Sequence, residues 1–291
     1  EIFTKNMEFW QEFSEGVYAE HPDAYLIAEV WDKDASHMIP FITGGYLDSL
    51  YNFNLGSKIL MAAKKESTAY QYIEGEDPLT DKASTDLNLV EDLKAYYAAC
   101  NTASDGNFID CPFLSNHDQQ RVMAQLEGNK DHARTAASLL ATMPGNIFMY
   151  FQEELGASET QSSDGPIKMP WTADMAVENL SVEDAEAGKN PLFTYYKEIM
   201  NLKKNCDVLR NGDIDIYETE DQGIVSFIRM TKSESVLVLV NLTGEIKELD
   251  LTPSETYGEF TQILFQSTDD QQSNLNKNHV TINPYSLLVL E

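Results

Sequence analysis

The chain has 291 residues, of which 42% are apolar and 23% charged, an ordinary composition for one large globular domain or for a large and a small one. Asp and Glu outnumber Lys and Arg 48 to 20, which gives a formal net charge of -28. This charge argues against nucleic-acid and anionic-lipid partners, because binding to either requires basic groups that neutralise phosphate. No run of about 18 apolar residues occurs, so we expect no membrane-spanning segment.

Predicted helices alternate with short apolar strands over the first two thirds of the chain. Apolar residues at helical spacing predict helices over residues 5–20, 85–100, 131–143 and 191–205, and a further helix that ends at Lys64. Apolar runs bounded by turn residues predict strands over residues 24–31, 47–56, 107–116 and 145–156. This alternation is typical of βαβ units around a parallel sheet. Residues 157–190 are polar and turn-rich, which predicts a long surface loop with little regular structure.

The pattern changes after Asn211. Seven short apolar strands, separated by Gly, Asn, Asp or Pro turns, run from DIDIYE (213–218) to YSLLVLE (285–291). Such a series predicts an antiparallel all-β sandwich. We therefore expect two domains, residues 1–207 and residues 208–291.

Cysteine usage carries little functional information. Cys100, Cys111 and Cys206 are an odd number and show no C-x-x-C spacing. This argues against a metal cluster and against a disulfide framework, and it leaves the cellular compartment open.

Two carboxyl groups stand at the ends of different predicted strands. Glu29 interrupts the otherwise apolar AYLIAEVW (24–31), and Asp118 follows FLSNH (113–117). Either residue could cap a turn or join an ion pair. The chemical alternative is a general acid, because a desolvated carboxyl keeps its proton at neutral pH. Carboxyls from different strands of a parallel barrel converge on its C-terminal face, and a pair in different environments can cleave glycosidic bonds.

His117 and Trp31 lie next to these carboxyls in the sequence. His117 is either a structural histidine or a donor to a substrate hydroxyl group. Trp31 is either a core residue or an aromatic face for a sugar ring. Neither residue decides between its two explanations alone.

Taken together, these segments resemble the α-amylase family, glycoside hydrolase family 13. YLIAEVWD (25–32) is similar to the family segment with the general acid/base Glu, and FLSNHDQQRV (113–122) is similar to its NHD segment. AASLLATMPGNIFMYFQEELG (136–156) is similar to the last barrel helix and the eighth strand, and DGPIKMPW (164–171) is similar to the loop that follows. The resemblance continues through a closing helix and a C-terminal β domain, in family order.

The resemblance implies a fold and two catalytic roles. The fold class is α/β, the second half (strands 5–8) of a (β/α)8 TIM barrel, followed by the antiparallel sandwich. Glu29 is implied as the general acid/base, and Asp118 as the residue that stabilises the oxocarbenium-like transition state. No cofactor is expected for catalysis.

Four further residues are implied around the substrate. His117 would bind the sugar at the cleavage subsite, and Trp31 would lie on the leaving-group side. Asn116 and Arg121 are implied either as substrate contacts or as residues that support the site from behind. The eighth-strand motif departs from the family pattern at Gln152, where a small Gly is usual, so the shape of the subsite there is open.

The family's nucleophile is an Asp in a G-F-R-x-D-A-x-x-H segment, which does not occur in these 291 residues. Four parallel strands cannot close an eight-stranded barrel. We therefore expect the chain to be the C-terminal portion of a longer enzyme, with the N-terminal half of that enzyme completing the barrel. Structural calcium, where the enzyme uses it, is expected to bind mainly to that N-terminal half.

The expected function is retaining hydrolysis of α-1,4-glucans such as starch and maltooligosaccharides, with the isolated chain inactive. Alternatives are a glucanotransferase or an oligo-1,6-glucosidase of the same family, and a non-catalytic scaffold or binding member of the fold. The presence of Glu29, His117 and Asp118 favours an enzyme, since non-catalytic members usually lose these residues. Analogy alone favours an extracellular or cell-surface location over a cytoplasmic one.

Overall fold

The computed structural model describes residues 6–30, 35–65, 69–70, 87–158, 161–162, 165–176 and 180–291. The α-helices are α1 Met7–Glu20, α2 Ala35–Ile42, α3 Phe53–Lys65, α4 Leu89–Ala103, α5 Val122–Gln125, α6 Lys130–Thr142, α7 Val182–Glu186, α8 Pro191–Asn205 and α9 Asp207–Asn211. Short 3₁₀ turns occupy Thr43–Gly45 and Ala173–Met175. Within the described ranges, no helix combines the length and the apolar character needed to cross a membrane.

The strands fall into two groups along the chain. The strands of the α/β part are β1 Ile27–Ala28, β2 Ser49–Asn52, β3 Ala69–Tyr70, β4 Leu87–Asn88, β5 Cys111–Pro112, β6 Gln161–Ser162 and β7 Gly165–Pro166. The strands of the β domain are β8 Asp213–Ile216, β9 Ile224–Met230, β10 Ser235–Asn241, β11 Lys247–Asp250, β12 Ile263–Gln266, β13 Asn274–Asn276, β14 His279–Ile282 and β15 Leu287–Leu290.

The predicted helices α1, α6 and α8 are confirmed to within two residues at either end. Each begins after an asparagine whose side-chain oxygen accepts backbone N–H groups of the first turn: Asn6, Asn129 and Asn190. The helix predicted over residues 85–100 is α4, which begins at Leu89. Its predicted cap, Thr85 or Asp86, lies outside the described residues.

The α/β part is built around a parallel sheet with the order β1–β2–β5. Ile27 pairs with Ser49, and Tyr51 pairs with Cys111. Helices α3 and α6 pack on each other, and their apolar residues join one core with Leu114 of the segment after β5. Parallel strands with helices packed on them form a partial barrel, as the resemblance implied.

Most of the predicted strands of this part are too long. Among the described residues of the runs 24–31 and 107–116, the strands are β1 and β5, two residues each. The run over residues 47–56 ends at Asn52, because Asn52 Oδ1 accepts a hydrogen bond from Leu55 N (2.8 Å) and so starts α3. An apolar run shows that its residues are buried, but it does not show what buries them. Packing against helices buries these residues as well as pairing with neighbouring strands does, so the run is longer than the strand.

The strand predicted over residues 145–156 is wrong. Two backbone hydrogen bonds connect this segment to the neighbourhood of β5, Asn146 N to Asp110 O (2.8 Å) and Phe148 N to Pro112 O (3.0 Å). Residues 151–156 form turns instead, and Gln152 has a φ of +68°. Residues 145–150 are therefore an extended segment beside β5, and the chain folds back directly after it.

In the described part of the predicted surface loop over residues 157–190, the regular elements are short: strands β6 and β7, the 3₁₀ turn Ala173–Met175 and the five-residue helix α7. Ser181 Oγ accepts from Asp184 N (3.0 Å) and donates to the Asp184 carboxylate (2.7 Å). This S-x-x-D arrangement is a capping box, a start signal that is readable in the sequence. The prediction of little regular structure holds for most of the described part of this stretch, and α7 is its main exception.

The β domain is an antiparallel sandwich, as predicted. One sheet has the order β12–β15–β10–β9–β8, and the other has the order β11–β14–β13. Ile228 and Leu237 of the larger sheet share a core with Val280 and Ile282 of the smaller one. The strand β13 was not predicted.

The three central strands of the larger sheet, β9, β10 and β15, are buried on both faces. Val225 and Phe227 point away from the smaller sheet and join the core that also contains Leu139 of α6 and Ile199 of α8. Burial on both faces explains the continuous apolar run SVLVLV of β10, where a half-exposed strand would alternate. The core therefore crosses residues 207–208, and the two-domain division there stays a prediction.

Candidate active site

A pocket of about 200 Å³ lies beyond the C-terminal ends of the parallel strands. Its walls come from four segments: the end of β1, strand β2, the segment after β5, and the extended segment beside β5. The lining residues are Glu29, Tyr51, Phe113, Ser115, Asn116, His117, Phe148, Met149 and Tyr150. The carboxyl ends of parallel strands are where α/β folds place their binding sites.

Glu29 reaches this pocket because side chains alternate along an extended segment. Ala28 and Val30 are buried and pack with Met38 and Leu50 in one cluster, and Glu29 between them is exposed. The carboxyl group that interrupts the apolar run thus lies in the pocket wall. Its exposure leaves it accessible to a bound molecule.

Asn116, His117 and Asp118 form the turn after β5. Asn116 Oδ1 accepts from Asp118 N (2.9 Å), so Asn116 stabilises the turn itself. His117 Nε2 lies 3.3 Å from Asp118 Oδ2, and the two side chains are 71% and 45% exposed. Asn116 and His117 line the pocket, and Asp118 lies directly beside it. The structure therefore brings Glu29, Asn116 and His117 together, with Asp118 adjacent.

Arg121 is buried behind the turn, with 1% of its surface exposed. Its Nη1 donates to Phe151 O (2.6 Å). Its guanidinium carbon lies 4.5 Å from the centre of the Tyr150 ring and 4.7 Å from the centre of the Phe151 ring. Burial lowers the pKa of Arg121. These contacts are those of a residue that supports the site from behind, one of its two implied roles.

Trp31 lies outside the described residues, so its predicted place on the leaving-group side stays a prediction. Within the described ranges, no three His, Cys, Asp or Glu side chains converge as metal ligands.

Sequence reasoning missed the aromatic wall of the pocket. The Tyr51 and Phe148 rings meet edge to face with centroids 5.0 Å apart, and Tyr51 meets Phe113 in the same way at 6.0 Å. Burial, with smaller effects of Cys111 and Glu29, raises the pKa of Tyr51. Tyr51 and Phe113 lie at or just beyond the C-terminal ends of β2 and β5, and Phe148 lies in the extended segment beside β5, so their convergence becomes evident only once the sheet order is known.

Two buried carboxyl groups near the pocket were also missed. Glu153 is 4% exposed, and burial raises its pKa to about 8. Asp110 is 2% exposed, and burial raises its pKa to about 7 against the hydrogen bonds that it accepts from Asn52 Nδ2 and Tyr97 OH, both 2.8 Å. Asp110 connects β2, β5 and α4. Glu153 lies directly behind the turn that holds Asn116.

Comparison with known proteins identifies the family. A sequence profile of the α-amylase catalytic domain matches residues 3–178, and a profile of the C-terminal domain of α-amylase SusG matches residues 224–289. Alpha-amylase 3 of Dictyoglomus thermophilum is 27% identical and aligns with 99% of this chain and 55% of its own length. Neopullulanase 2 of Thermoactinomyces vulgaris is 24% identical over 97% of this chain and 42% of its own length. The crystal structure of the α-amylase from H. orenii has a TM-score of 0.77, with 27% identity, and covers 99% of this chain and 57% of its own.

The chain spans about half the length of the relatives that it matches. The catalytic-domain profile covers more than half of the chain and includes both candidate carboxyls, Glu29 and Asp118. The pocket at the C-terminal ends of the parallel strands is where such a catalytic domain carries its chemistry. The chain belongs to the α-amylase catalytic-domain family, and it continues into a C-terminal domain that matches the SusG type.

Proposed function

We propose that this chain forms the C-terminal half of the catalytic barrel, together with the β domain, of a retaining α-glucan hydrolase. One observation carries the proposal: Glu29, Asn116 and His117 come from two different strand ends and line one pocket, with Asp118 beside His117. The relatives named α-amylase and neopullulanase support the substrate class, an α-glucan or maltooligosaccharide.

The proposed reaction is a double displacement. The nucleophile, an Asp contributed by the N-terminal half, attacks the anomeric carbon while protonated Glu29 donates its proton to the leaving oxygen. The sugar is then bound covalently to that Asp; water attacks the anomeric carbon, Glu29 accepts the proton of the water, and the bond to the Asp breaks to release the sugar. Asp118 stabilises the positive charge that develops on the sugar ring, an interaction that is stronger in the transition state than in the ground state.

The other pocket residues hold the sugar. The exposed His117 side chain can donate a hydrogen bond to a sugar hydroxyl group, and the edges of Tyr51 and Phe148 supply an apolar wall for the ring. Bound glucan and the N-terminal half would cover Glu29, which is exposed in this chain.

The proposal is tested on the full polypeptide that contains this chain. Glu29→Gln and Asp118→Asn are each expected to lower the rate of maltoheptaose hydrolysis by about 10²–10⁴-fold, because each removes a group that acts in the transition state. Glu234→Gln, an exposed residue at the β9–β10 turn, serves as the control and should leave the rate unchanged. Near-normal turnover in either site variant would refute its assigned role.

Product analysis separates the alternatives within the family. Hydrolysis of maltoheptaose without longer products supports the α-amylase-like activity. Longer maltooligosaccharides would indicate a glucanotransferase, and cleavage of isomaltose would indicate an oligo-1,6-glucosidase. Binding of maltoheptaose without any turnover would indicate a non-catalytic member of the fold.

A further inference from the structure

The turn that carries Asn116, His117 and Asp118 rests on a buried carboxyl group. Ser115, the residue before the turn, is 3% exposed, and its Oγ lies 3.1 Å from Glu153 Oε2. Ser115 also lines the pocket. Glu153 therefore does not line the pocket itself, but it binds the hydroxyl group of a residue that does.

The other end of the same turn is held by the same neighbouring segment. Arg121 donates to Phe151 O (2.6 Å) and lies against the rings of Tyr150 and Phe151. Residues 115 and 121 thus both contact residues 150–153, while His117 and Asp118 between them are exposed. The contacts of the two buried ends, Ser115 and Arg121, therefore fix the position of the exposed residues between them.

Glu153 is itself fixed from its far side. Tyr196 of α8 lies with its hydroxyl oxygen 3.2 Å from Glu153 Oε1 and is 2% exposed. The carboxyl group thus bridges a hydroxyl of the pocket segment and a hydroxyl of a long helix. A carboxyl group with both oxygens engaged in this way has a defined orientation.

We propose that Glu153 is a positioning residue that, through Ser115, sets the place of Asn116, His117 and Asp118 at the pocket. The assignment of these three residues to catalysis and sugar binding rests on the function proposed above. The proposal about the position of the turn does not depend on that function, since the position can be measured without substrate.

The protonation state of Glu153 gives this role a pH dependence. The titratable groups that face it are Arg121 from the turn, Tyr196 from α8 and Glu154 from its own segment. Burial is the largest effect and raises the pKa of Glu153 from its ordinary 4.5 to about 8. At neutral pH the group is a carboxylic acid with one hydrogen-bond donor and one acceptor. The hydroxyl groups of Ser115 and Tyr196 can each either donate to it or accept from it.

The direction of the pH dependence follows from the difference in Glu153 pKa between the packed and the opened turn. Because the packed state binds this proton more tightly than an opened state does, opening of the turn becomes easier as pH rises from about 4.5 to about 8 and then levels off. The change is at most about tenfold per pH unit. Glutamine has the shape of the neutral acid and offers one donor and one acceptor, so Glu153→Gln should hold the turn at every pH. Glu153→Ala removes both hydrogen bonds.

Amide hydrogen exchange of the full polypeptide, corrected for intrinsic rates, measures this opening over residues 115–121. We expect exchange in the wild type to rise at least about fivefold between pH 6 and pH 8, and in Glu153→Gln by less than about twofold. Glu154→Gln, the neighbouring half-buried carboxyl, is the matched control and should keep the wild-type response. A wild-type turn whose exchange does not depend on pH, or a Glu153→Gln turn that responds as the wild type does, would overturn the proposal.

Kinetics on maltoheptaose form the second arm. At pH 6.5, Glu153→Ala should lower kcat/KM at least about thirtyfold, because a displaced turn costs both sugar binding and transition-state stabilisation. Glu153→Gln should restore kcat/KM to within about threefold of the wild type. Equal losses in both variants would overturn the proposal. If the wild type proves inactive on α-glucans, the proposed function fails and the exchange arm still decides the role of Glu153.

Discussion

At the C-terminal end of α6, two buried cations donate to carbonyl groups that the helix leaves without internal partners. Lys203 Nζ donates to Met143 O (2.6 Å), and Arg229 Nη1 donates to Thr142 O (2.5 Å). The end of a helix carries partial negative charge, so positive charge is favourable there. Burial, followed by repulsion from Arg229, nevertheless lowers the pKa of Lys203 to about 7.

Lys203→Met is expected to remove a pH dependence of stability. The pKa of Lys203 falls from 10.5 to about 7 on folding, so between these values the unfolded chain binds more protons. The free energy of unfolding therefore rises with pH across that window, by at most about 3 kcal/mol from this group between pH 7 and pH 9.5. Urea denaturation of the wild type and the variant at both pH values measures the difference. Lys204→Met, an exposed neighbour on α8, is the control, and an equal pH response in wild type and Lys203→Met would contradict the assignment.

At the residue scale, sequence reasoning found the polar groups of the pocket but not its apolar or buried ones. Glu29 could be identified because a carboxyl stands out in an apolar run. Tyr51 could not, because an aromatic residue in a strand looks like core until the sheet order is known. Glu153 was part of a recognised motif, yet its contact with Ser115 joins residues 38 positions apart. Such contacts depend on tertiary structure that no local pattern encodes.

At the scale of elements, α3 packs against the segment after β5 through a glycine. A Cβ at Gly56 would collide with the backbone oxygen of Phe113, three residues before Asn116. Gly16 of α1 is a matched contrast, since no atom lies within 4 Å of where its Cβ would be. The close approach of α3 to the Phe113 backbone thus requires glycine at position 56, while α1 has room for a side chain at position 16.

The two glycines are expected to respond with opposite signs to the same substitution. Gly56→Ala should destabilise the chain by about 1–3 kcal/mol, because the helix must move away from β5. Gly16→Ala should stabilise it by about 0.5–1 kcal/mol, since alanine loses less backbone entropy in a helix. Urea denaturation measures both. A neutral Gly56→Ala would show that α3 and the Phe113 segment are not packed as described.

The five longest helices could be predicted well, the shorter helices α2, α5, α7 and α9 were missed, and the parallel strands were predicted poorly, for a physical reason. A helix forms its hydrogen bonds locally and begins at a local cap. Asn129 is the cap of α6, and Asn190 is the cap of α8. A strand extends only as far as its neighbours pair with it, and β1 and β5 pair over two residues each. The β-domain strands were predicted better, because turn residues mark both of their ends.

At the scale of the whole molecule, the α/β part and the β domain are held together by polar contacts around a shared core. Arg134 of α6 binds Asp269 of the β domain through two nitrogen–oxygen contacts of 2.5 and 2.6 Å and lies 4.0 Å from the centre of the Tyr195 ring. Arg229 of β9 donates to the end of α6. The β domain thus stabilises the helices behind the pocket, and we expect it to be required for the folding of the α/β part.

We propose that this chain supplies half of a catalytic site and that a preceding half supplies the nucleophile. The direct test compares maltoheptaose hydrolysis by the 291-residue chain alone with hydrolysis by the longer polypeptide that includes the proposed N-terminal half. We expect no turnover for the chain alone and ready turnover for the longer polypeptide, lost again in its Glu29→Gln variant. Hydrolysis by the chain alone, at a rate comparable to that of the longer polypeptide, would contradict the proposal.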